Sequence, residues 1–257
     1  MNGADATGLL EREQELATLR TLIDAAVAGE AGVGLIEGAA GIGKSQLMTA
    51  ARRRAAGTGV RLLSARGGEL EREFAFGIAR QLFEPALAGS DESLFTGAAD
   101  AARAVFELSP DREDDADRSF ASMHGLYWLT VNLSVDGPVL LAVDDLHWCD
   151  RASLRFLAYL VRRLEGLPVL VLASLRPAQP GVDAALVGEI AGDPLTVAIR
   201  PRPLSVDSAS ALVRERLGQD AAPAFSAACH SATGGNPLLL VELLKALAVE
   251  GVRPDVA

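Results

Sequence analysis

Basic charge, cysteine and aromatic residues are all scarce in this sequence. The 257 residues carry 34 acidic and 24 basic side chains, a formal net charge of −10, so the chain lacks the basic footprint of a general nucleic-acid binder. Its two cysteines, Cys149 and Cys229, have no CxxC motif around them. They favour a reduced intracellular compartment over a disulfide framework and give no support to a zinc site. Aromatic residues make up only 5%, so Ala, Val, Leu and Ile must build the core.

Long apolar runs are also missing. No run reaches the ~18–20 residues that a membrane span needs, and the N-terminus lacks the basic and apolar stretches of a signal peptide. We therefore expect a cytoplasmic chain with no membrane partner. Disorder is not expected, because 49% of the residues are apolar and a chain of this length can bury a large core.

Five short apolar runs separated by helical patterns predict an α/β fold. Continuous rather than alternating apolar residues are typical of strands buried on both faces, so the sheet should be mostly parallel. The predicted strands are residues 33–37, 60–65, 139–144, 169–174 and 195–199.

Helical patterns surround and follow these strands. One helix ending at Gly29 precedes the first strand, and a helical insertion occupies about residues 70–135, with helices at 74–87, 94–108 and 118–133. The acidic stretch 111–117 is interpreted as a solvated loop. Beyond Pro203 three further helices are predicted at 205–217, 222–232 and 237–249. The sequence therefore predicts an α/β core over residues 1–202 and a helical lid domain over residues 203–257.

The segment GAAGIGKS matches the phosphate-binding loop pattern G-x-x-x-x-G-K-[ST] in full. It follows a predicted strand and opens a predicted helix, which is the context that this motif requires. Glycines let the backbone turn its N–H groups toward a phosphate at the helix N-terminus. Only two of the 24 basic residues are lysines, and one of them, Lys44, is the lysine of this loop. The predicted nucleotide ligands are Gly38, Ala39, Ala40, Gly41, Ile42, Gly43, Lys44 and Ser45.

Carboxylates stand at the end of the third predicted strand, VLLAVDDLHW. This segment resembles a Walker B motif, so ATP with Mg²⁺ is the expected ligand. Asp144 is the predicted Mg²⁺ partner together with the Ser45 hydroxyl, and Asp145 is the predicted catalytic residue that orients or deprotonates the attacking water. An aspartate is one methylene shorter than the glutamate usual at that second position, so slow turnover is expected. Helix capping or loop solvation is the alternative role for Asp145.

Other residues near these motifs carry weaker patterns. Ser174 and Arg176, at the end of the fourth predicted strand, are candidates to sense the γ-phosphate, Arg176 through its bidentate guanidinium. Asp150 is predicted to cap the following helix. His147 either packs beside Trp148 or contacts the attacking water or a signalling surface.

Together these pieces resemble the signal-transduction ATPases with numerous domains (STAND), a branch of the AAA+ ATPases. The sequence is most similar to the ATPase modules of large ATP-binding LuxR-type (MalT-like) transcriptional regulators. The segments that carry this similarity include LLEREQEL, DDLHWCDRASLRFL and TGGNPLLLVELL. The resemblance covers about residues 9–249. It implies that Pro237, in the Gly-x-Pro motif, lies against the adenine, and that Arg12 belongs to a nucleotide-binding N-terminal motif. Glu11 departs from that motif, which usually has glycine there.

These observations predict a switch that binds ATP or ADP, hydrolyses ATP slowly and changes the core–lid arrangement and assembly. Lys44, Asp145 and Arg176 are the predicted catalytic residues. The resemblance implies self-association in the ATP state and assigns DNA contact to a segment outside this chain. Arg162 and Arg163 are either an arginine finger acting in trans or an exposed helix end. A P-loop phosphotransferase acting on a small acceptor and a non-hydrolysing nucleotide-binding scaffold remain alternatives.

Overall fold

A five-stranded parallel sheet organises the chain. The computed structural model describes residues 9–88, 92–107, 116–177, 183–218 and 220–254, and its strands lie in the order β2-β3-β4-β1-β5. The strands are β1 Gly32–Glu37, β2 Arg61–Arg66, β3 Val139–Asp144, β4 Val169–Leu175 and β5 Thr196–Ile199. All five were predicted within one or two residues of these bounds. Every pairing is parallel, so the carboxyl ends of all five strands meet along one edge.

Burial along the strands explains the continuous apolar runs. All residues of β3 and β4, and all of β1 except Glu37, are buried. Strands β2 and β5 lie at the two edges. Strand β2 leaves Arg61, Ser64 and Arg66 exposed, and β5 leaves Val197 and Ala198 exposed. Helices cover both faces of the sheet, as expected for a parallel sheet buried on both sides.

Ten α-helices are present in the described part of the chain, in addition to short 3₁₀ turns. They are α1 Glu13–Val27, α2 Lys44–Ala56, α3 Gly77–Leu87, α4 Arg103–Phe106, α5 Ala116–Val135, α6 Arg151–Val161, α7 Ala184–Ala191, α8 Val206–Leu217, α9 Pro223–Thr233 and α10 Pro237–Val249. Helices α1 and α2 pack on one face of the sheet, where Leu140 and Leu172 point. Helices α3, α5, α6 and α7 pack on the other face, where Leu141 and Val171 point.

The insertion before β3 differs from its prediction in one segment. The expected helix over residues 94–108 is instead two 3₁₀ turns, Glu92–Phe95 and Gly97–Ala102, followed by the single turn of α4. Gly97 has φ +65°, which breaks the helical path. Helix α5 packs closely on this segment, because a Cβ at Gly125 would lie 2.3 Å from the Ala102 nitrogen. Of the predicted acidic loop, residues 111–115 lie outside the described residues and 116–117 open α5.

Three C-terminal helices, α8 to α10, form a separate apolar cluster and are called the lid helices below. Leu204, Val213, Leu240 and Leu244 are buried in this cluster, and Leu10 from the N-terminal segment packs against it. Among the described helices, none combines the length and the apolar character needed to cross a bilayer.

Candidate functional site

The loop between β1 and α2 presents a row of free backbone donors. Gly41 and Gly43 have φ values of +77° and +104°, the left-handed region that glycine adopts without steric cost. Within the described residues, the N–H groups of Gly41, Gly43, Lys44 and Ser45 have no hydrogen-bond acceptor. Such N–H groups, at the positive end of a helix, fit the oxygens of a phosphate. Four of the eight predicted phosphate ligands thus have a free N–H group, whereas the N–H groups of Gly38 and Ile42 donate to the carbonyl oxygens of Leu175 (3.2 Å) and Ala39 (3.4 Å).

Lys44 is folded back onto the same loop. Its Nζ donates to the carbonyl oxygens of Gly38 (2.8 Å) and Ala39 (2.9 Å), and the side chain is buried. Burial lowers the pKa of Lys44, and the nearby Arg176 charge lowers it further, while Asp145 and Asp144 act in the opposite direction. A phosphate would therefore meet a desolvated cation that needs an anionic partner.

Two neighbouring strands meet at the carboxylates of the predicted Walker B motif. Ser174, near the end of β4, donates from Oγ to Oδ1 of Asp144 at the end of β3 (2.5 Å). The same hydroxyl accepts the N–H of Asp145 (2.9 Å). Ser174 therefore fixes the orientation of Asp144 and the turn that follows it. Ser45 is exposed at the start of α2, so its hydroxyl is accessible to a metal ion.

Protein side chains alone do not form a metal cage here. Among the described residues, no group of three or more His, Cys, Asp or Glu side chains could hold a metal ion. Magnesium characteristically binds through one or two protein oxygens, several waters and substrate phosphates. The Ser45 hydroxyl and the Asp144 carboxylate fit such a site.

Asp145 occupies an unusual backbone position and is held by an arginine. Its φ is +56°, which turns the chain sharply after β3. Arg66, at the end of β2, places Nη2 3.3 Å from Oδ2 of Asp145, although 73% of the arginine side chain is exposed. Arg66 was not predicted from the sequence as a site residue, because only the pairing of β2 with β3 places residue 66 beside residue 144.

His147 is a buried polar side chain beside Asp145. Its Nε2 lies 3.8 Å from Oδ1 of Asp145, and its ring lies 5.3 Å from that of Trp148. Neither ring nitrogen has a hydrogen-bond partner among the described residues. Burial lowers the pKa of His147, with Asp145 opposing and the Arg176 and Lys44 cations reinforcing the decrease. His147 thus packs beside Trp148, and its contact with the attacking water stays a prediction.

Arg176 follows β4 directly next to the start of the phosphate loop. The preceding residue, Leu175, accepts the N–H of Gly38 through its carbonyl oxygen (3.2 Å). The Nε of Arg176 is buried and has no partner within the described part of the chain. Its charge lowers the pKa of both Lys44 and His147, so the three groups share one electrostatic environment. An anion between them would satisfy Lys44 and Arg176 together.

Arg12 connects the N-terminal segment to the loop. It is buried, and its Nη2 donates to the carbonyl oxygens of Ile42 in the loop (3.1 Å) and of Arg202 (2.8 Å). These bonds hold the N-terminal segment, the phosphate loop and the strand-to-lid connection together. A contact between Arg12 and a base stays a prediction.

Glu11, which departs from the usual glycine, has its own structural role. Its φ is +53°, the conformation that a glycine takes easily. The carboxylate accepts hydrogen bonds from the N–H of Ser205 (2.8 Å), from the Ser205 hydroxyl and from the Ser208 hydroxyl (2.8 Å). It therefore fastens the N-terminal segment to the first turn of α8.

The lid helices also contact the phosphate loop directly. Asn236 caps α10 and donates from Nδ2 to the carbonyl oxygen of Ala40 (2.8 Å). The N–H of Leu238 reaches the carbonyl oxygen of Gly41 (3.2 Å). Pro237, predicted to lie against the adenine, is thus held at the first turn of α10, beside the loop.

The remaining sequence-based candidates lie away from the loop. Asp150 caps α6 as predicted, accepting the N–H of Ser153 (2.8 Å), and it also accepts two backbone N–H groups from residues 76 and 78. Arg162 pairs with Glu189 (3.3 Å), and Arg163 lies over the Tyr159 ring at 3.7 Å. Both arginines are exposed.

A parallel sheet in this strand order, a glycine-rich loop opening a helix and paired carboxylates on the neighbouring strand define a P-loop ATPase fold of the AAA+ type. The AAA ATPase domain family matches residues 8–172 of the chain. The chain therefore belongs to that family.

Solved structures and one curated sequence are similar over most of the chain. The ORC1 protein of Aeropyrum pernix, solved with DNA, has a TM-score of 0.55 at 17% identity, covering 97% of this chain and 63% of that one. A STAND protein with a tetratricopeptide repeat sensor from Pyrococcus horikoshii has a TM-score of 0.53 at 19% identity, covering 92% and 30%. At such identities the likeness concerns the fold alone.

The curated relative is an uncharacterized protein of Rhizobium meliloti (strain 1021). It is 29% identical over 277 residues, which cover 96% of this chain but 26% of the relative. The chain thus spans about a quarter of the length of that relative.

Among the solved structures, AMPPCP-bound DnaA of Aquifex aeolicus has a TM-score of 0.51 at 16% identity, covering 95% of this chain and 63% of that one.

Proposed function

We propose that this chain is an ATP-binding, slowly ATP-hydrolysing switch module, with residues 1–202 as core and residues 203–257 as lid. One observation carries the proposal: the loop has unpartnered backbone N–H groups, and the Lys44 ammonium beside them interacts electrostatically with Arg176, Asp145 and Asp144. A site rich in unsatisfied donors favours a polyanion, since buried polar groups normally have partners.

The loop residues bind and orient the nucleotide. The backbone N–H groups of Gly41, Gly43, Lys44 and Ser45 donate to phosphate oxygens, and the Lys44 ammonium exchanges its two carbonyl contacts for β- and γ-phosphate oxygens. Ser45 and Asp144 hold Mg²⁺, which when bound neutralises charge on the phosphates. Ser174 keeps the Asp144 carboxylate in position through its 2.5 Å hydrogen bond. Arg176 supplies the planar, bidentate cation for terminal phosphate oxygens.

Asp145 orients the attacking water and accepts its proton in the hydrolysis step. Its pairing with Arg66 engages the carboxylate, and the short aspartate side chain limits its reach, so both features favour slow turnover. Hydrolysis then acts as a reset rather than as a source of metabolic flux.

Contacts between the lid helices and the nucleotide site allow the bound nucleotide to change the arrangement of core and lid. Moving an equilibrium from 1:99 to 99:1 takes about 5.5 kcal/mol of differential affinity, so the nucleotide must contact groups whose arrangement differs between states. Contacts from α10 to the phosphate loop and from α8 to Glu11 link the lid to the nucleotide site. Pro237 against the adenine would add a third link. These joints support a core–lid arrangement that depends on nucleotide state.

The larger role follows from the resemblance to LuxR-type regulators of the STAND class. The module would serve as the nucleotide-operated part of a signal-transducing transcriptional regulator that self-associates in the ATP state. This segment, with its net charge of −10, would not contact DNA itself. The match to the AAA ATPase domain family supports the ATPase part of this proposal over unrelated P-loop classes.

Replacing Lys44 tests the proposal, and the second lysine of the chain is a matched control. Lys44→Ala should abolish measurable ATP binding and hydrolysis, while Lys245→Ala should leave both unchanged, because Lys245 is exposed and, among the described residues, pairs with Glu242 alone. Titration with a fluorescent ADP analogue measures the affinity. Equal affinity in the wild type and Lys44→Ala would refute the assignment of the loop.

The two alternative functions predict different products. A phosphotransferase without its acceptor releases little free phosphate, whereas an ATPase releases ADP and phosphate in equal amounts. A scaffold would show no single-turnover hydrolysis. We expect equimolar products in the wild type and their loss in Asp145→Asn.

A further inference from the structure

All five carbonyl groups from Gly38 to Ile42 in the phosphate loop have hydrogen-bond donors. Lys44 donates to the carbonyl oxygens of Gly38 and Ala39, and Arg12 donates to that of Ile42. The lid residues Asn236 and Leu238 donate to those of Ala40 and Gly41. The loop therefore owes its carbonyl orientation to three different parts of the chain. Only the lid contribution comes from residues that can move with α8 to α10.

Asn236 makes the lid contribution with an unambiguous amide orientation. Its Oδ1 accepts the N–H groups of Leu238 (3.1 Å) and Leu239 (3.3 Å), and backbone N–H groups can only donate. The opposite atom, Nδ2, faces the Ala40 carbonyl oxygen at 2.8 Å, which can only accept. One side chain thus caps α10 and binds the loop at the same time.

Peptide planarity turns this contact into control of the phosphate donors. In a trans peptide the N–H points away from the C=O of the same unit. Binding the Ala40 and Gly41 carbonyls from the lid side therefore directs the N–H groups of Gly41 and Ile42 away from the lid. The orientation of two loop peptides depends on the first turn of α10.

The approach between the lid and the loop is close enough to require glycine. A Cβ at Gly41 would lie 2.7 Å from Oδ1 of Asn236 and 2.8 Å from Cβ of Leu238. No side chain fits between the loop and α10. The contact is a packed joint rather than an isolated surface hydrogen bond.

We propose that Asn236 is a positioning residue of the nucleotide site, which sets the phosphate-loop peptides through Ala40 and so couples lid position to nucleotide affinity. This inference rests on the proposed ATP-binding function. It assigns a task to the middle residue of the Gly-x-Pro motif, separate from the predicted contact of Pro237 with the base.

Asn236→Ser separates capping from loop contact. Serine caps helices about as well as asparagine, but it is too short to reach the Ala40 carbonyl and adds no charge. Loss of one hydrogen bond should weaken binding of a fluorescent ADP analogue about three- to tenfold. In steady-state hydrolysis KM for ATP should rise with kcat unchanged, because the loop holds phosphates alike in the ground and transition states. A merely structural defect would lower kcat through a smaller folded fraction and leave KM unchanged.

A second variant and a control complete the test. Asn236→Asp keeps both cap acceptors and loses the donor, so it should also weaken binding, and the loss should persist at about 1 M salt, where charges are screened beyond about 3 Å. Asp183→Ser exchanges the cap of α7 and should leave ADP affinity unchanged, because within the described residues the Asp183 carboxylate accepts from Leu186 and Arg151 rather than from the loop.

The outcomes distinguish this inference from the proposed function. Affinity within twofold of the wild type in both Asn236 variants would overturn the positioning role while leaving ATP binding intact. An equal loss of affinity in Asp183→Ser would overturn it as well, since the effect would then be general. If Asn236→Ser fails to fold, the Asn236→Asp result at high salt decides. A wild type that binds neither ADP nor ATP would refute the proposed function and the inference together.

Discussion

Glu11 affects the free energy of unfolding in two opposite ways. Its carboxylate hydrogen bonds stabilise the fold and its left-handed backbone conformation destabilises it, and substitution can separate the two contributions. Glu11→Ala removes three hydrogen bonds to Ser205 and Ser208 but keeps the backbone at φ +53°. These bonds lie at exposed or partly buried positions, so each contributes about 0.5–1 kcal/mol. The alanine variant should therefore be about 2 kcal/mol less stable at pH 7, a decrease in Tm of about 4–8 °C for a chain of this size.

Glu11→Gly loses the same bonds but relieves the left-handed conformation. That conformation costs an L-residue about 1–2 kcal/mol, while the added freedom of glycine in the unfolded chain costs about 0.5–1 kcal/mol. The glycine variant should thus be about 0.5–1 kcal/mol more stable than the alanine variant and still less stable than the wild type. The hydrogen bonds outweigh the strain, which explains why glutamate is tolerated at this position.

Acid should erase the difference between wild type and Glu11→Ala. Burial raises the pKa of Glu11, but the hydrogen bonds from Ser205 and Ser208 and the Arg12 charge outweigh it and lower the pKa below 4.5. A lowered pKa means that the stabilisation is complete above about pH 4.5 and is lost as the pH falls through the folded-state value. Urea unfolding at pH 7 and at lower pH measures this.

Two results would refute this reasoning. Equal stability of Glu11→Ala and wild type at pH 7 would mean that the carboxylate bonds contribute nothing to folding. A glycine variant less stable than the alanine variant would mean that the backbone strain at residue 11 is smaller than the entropic cost of glycine in the unfolded chain.

Two further predictions concern the carboxylates. Arg66→Ala should raise kcat up to about fivefold, because an exposed ion pair is worth at most about 1 kcal/mol and its loss frees Asp145; a lower kcat in a steady-state phosphate assay would contradict this. Ser174→Ala should raise the Mg²⁺ concentration needed for half-maximal hydrolysis about tenfold or more, because it removes the hydroxyl that orients Asp144. A Mg²⁺ titration with unchanged half-saturation would show that Ser174 only supports the turn.

Local patterns were sufficient for the strands, the helix caps and the phosphate loop. Buried parallel strands need continuous apolar runs, so β3 and β4 stand out in the sequence. The capping role of Asp150 follows from an acceptor three residues before a free N–H. The insertion was predicted less well, because Gly97 and the close approach of Gly125 to Ala102 replace the expected helix by 3₁₀ turns.

Contacts between distant segments escaped sequence reasoning. The pairing of Arg66 with Asp145 depends on the β2–β3 register, and the Glu11 bonds join residues 194 and 197 positions apart. Arg66 is one of many arginines, and Glu11 read only as a departure from a motif. No local pattern distinguishes them.

The sequence by itself located a glycine-rich turn between a strand and a helix and predicted that it binds phosphate, since a turn ending in one of only two lysines has few other uses. It also determined the parallel sheet, because strands buried on both faces must be apolar throughout. Only the tertiary structure decided how the loop is held: Lys44, Arg12 and Asn236 come from separate segments, and their donors meet one run of carbonyl groups. Hydrogen bonds of this kind depend on distances between elements, which packing of the whole chain sets and which no periodicity encodes.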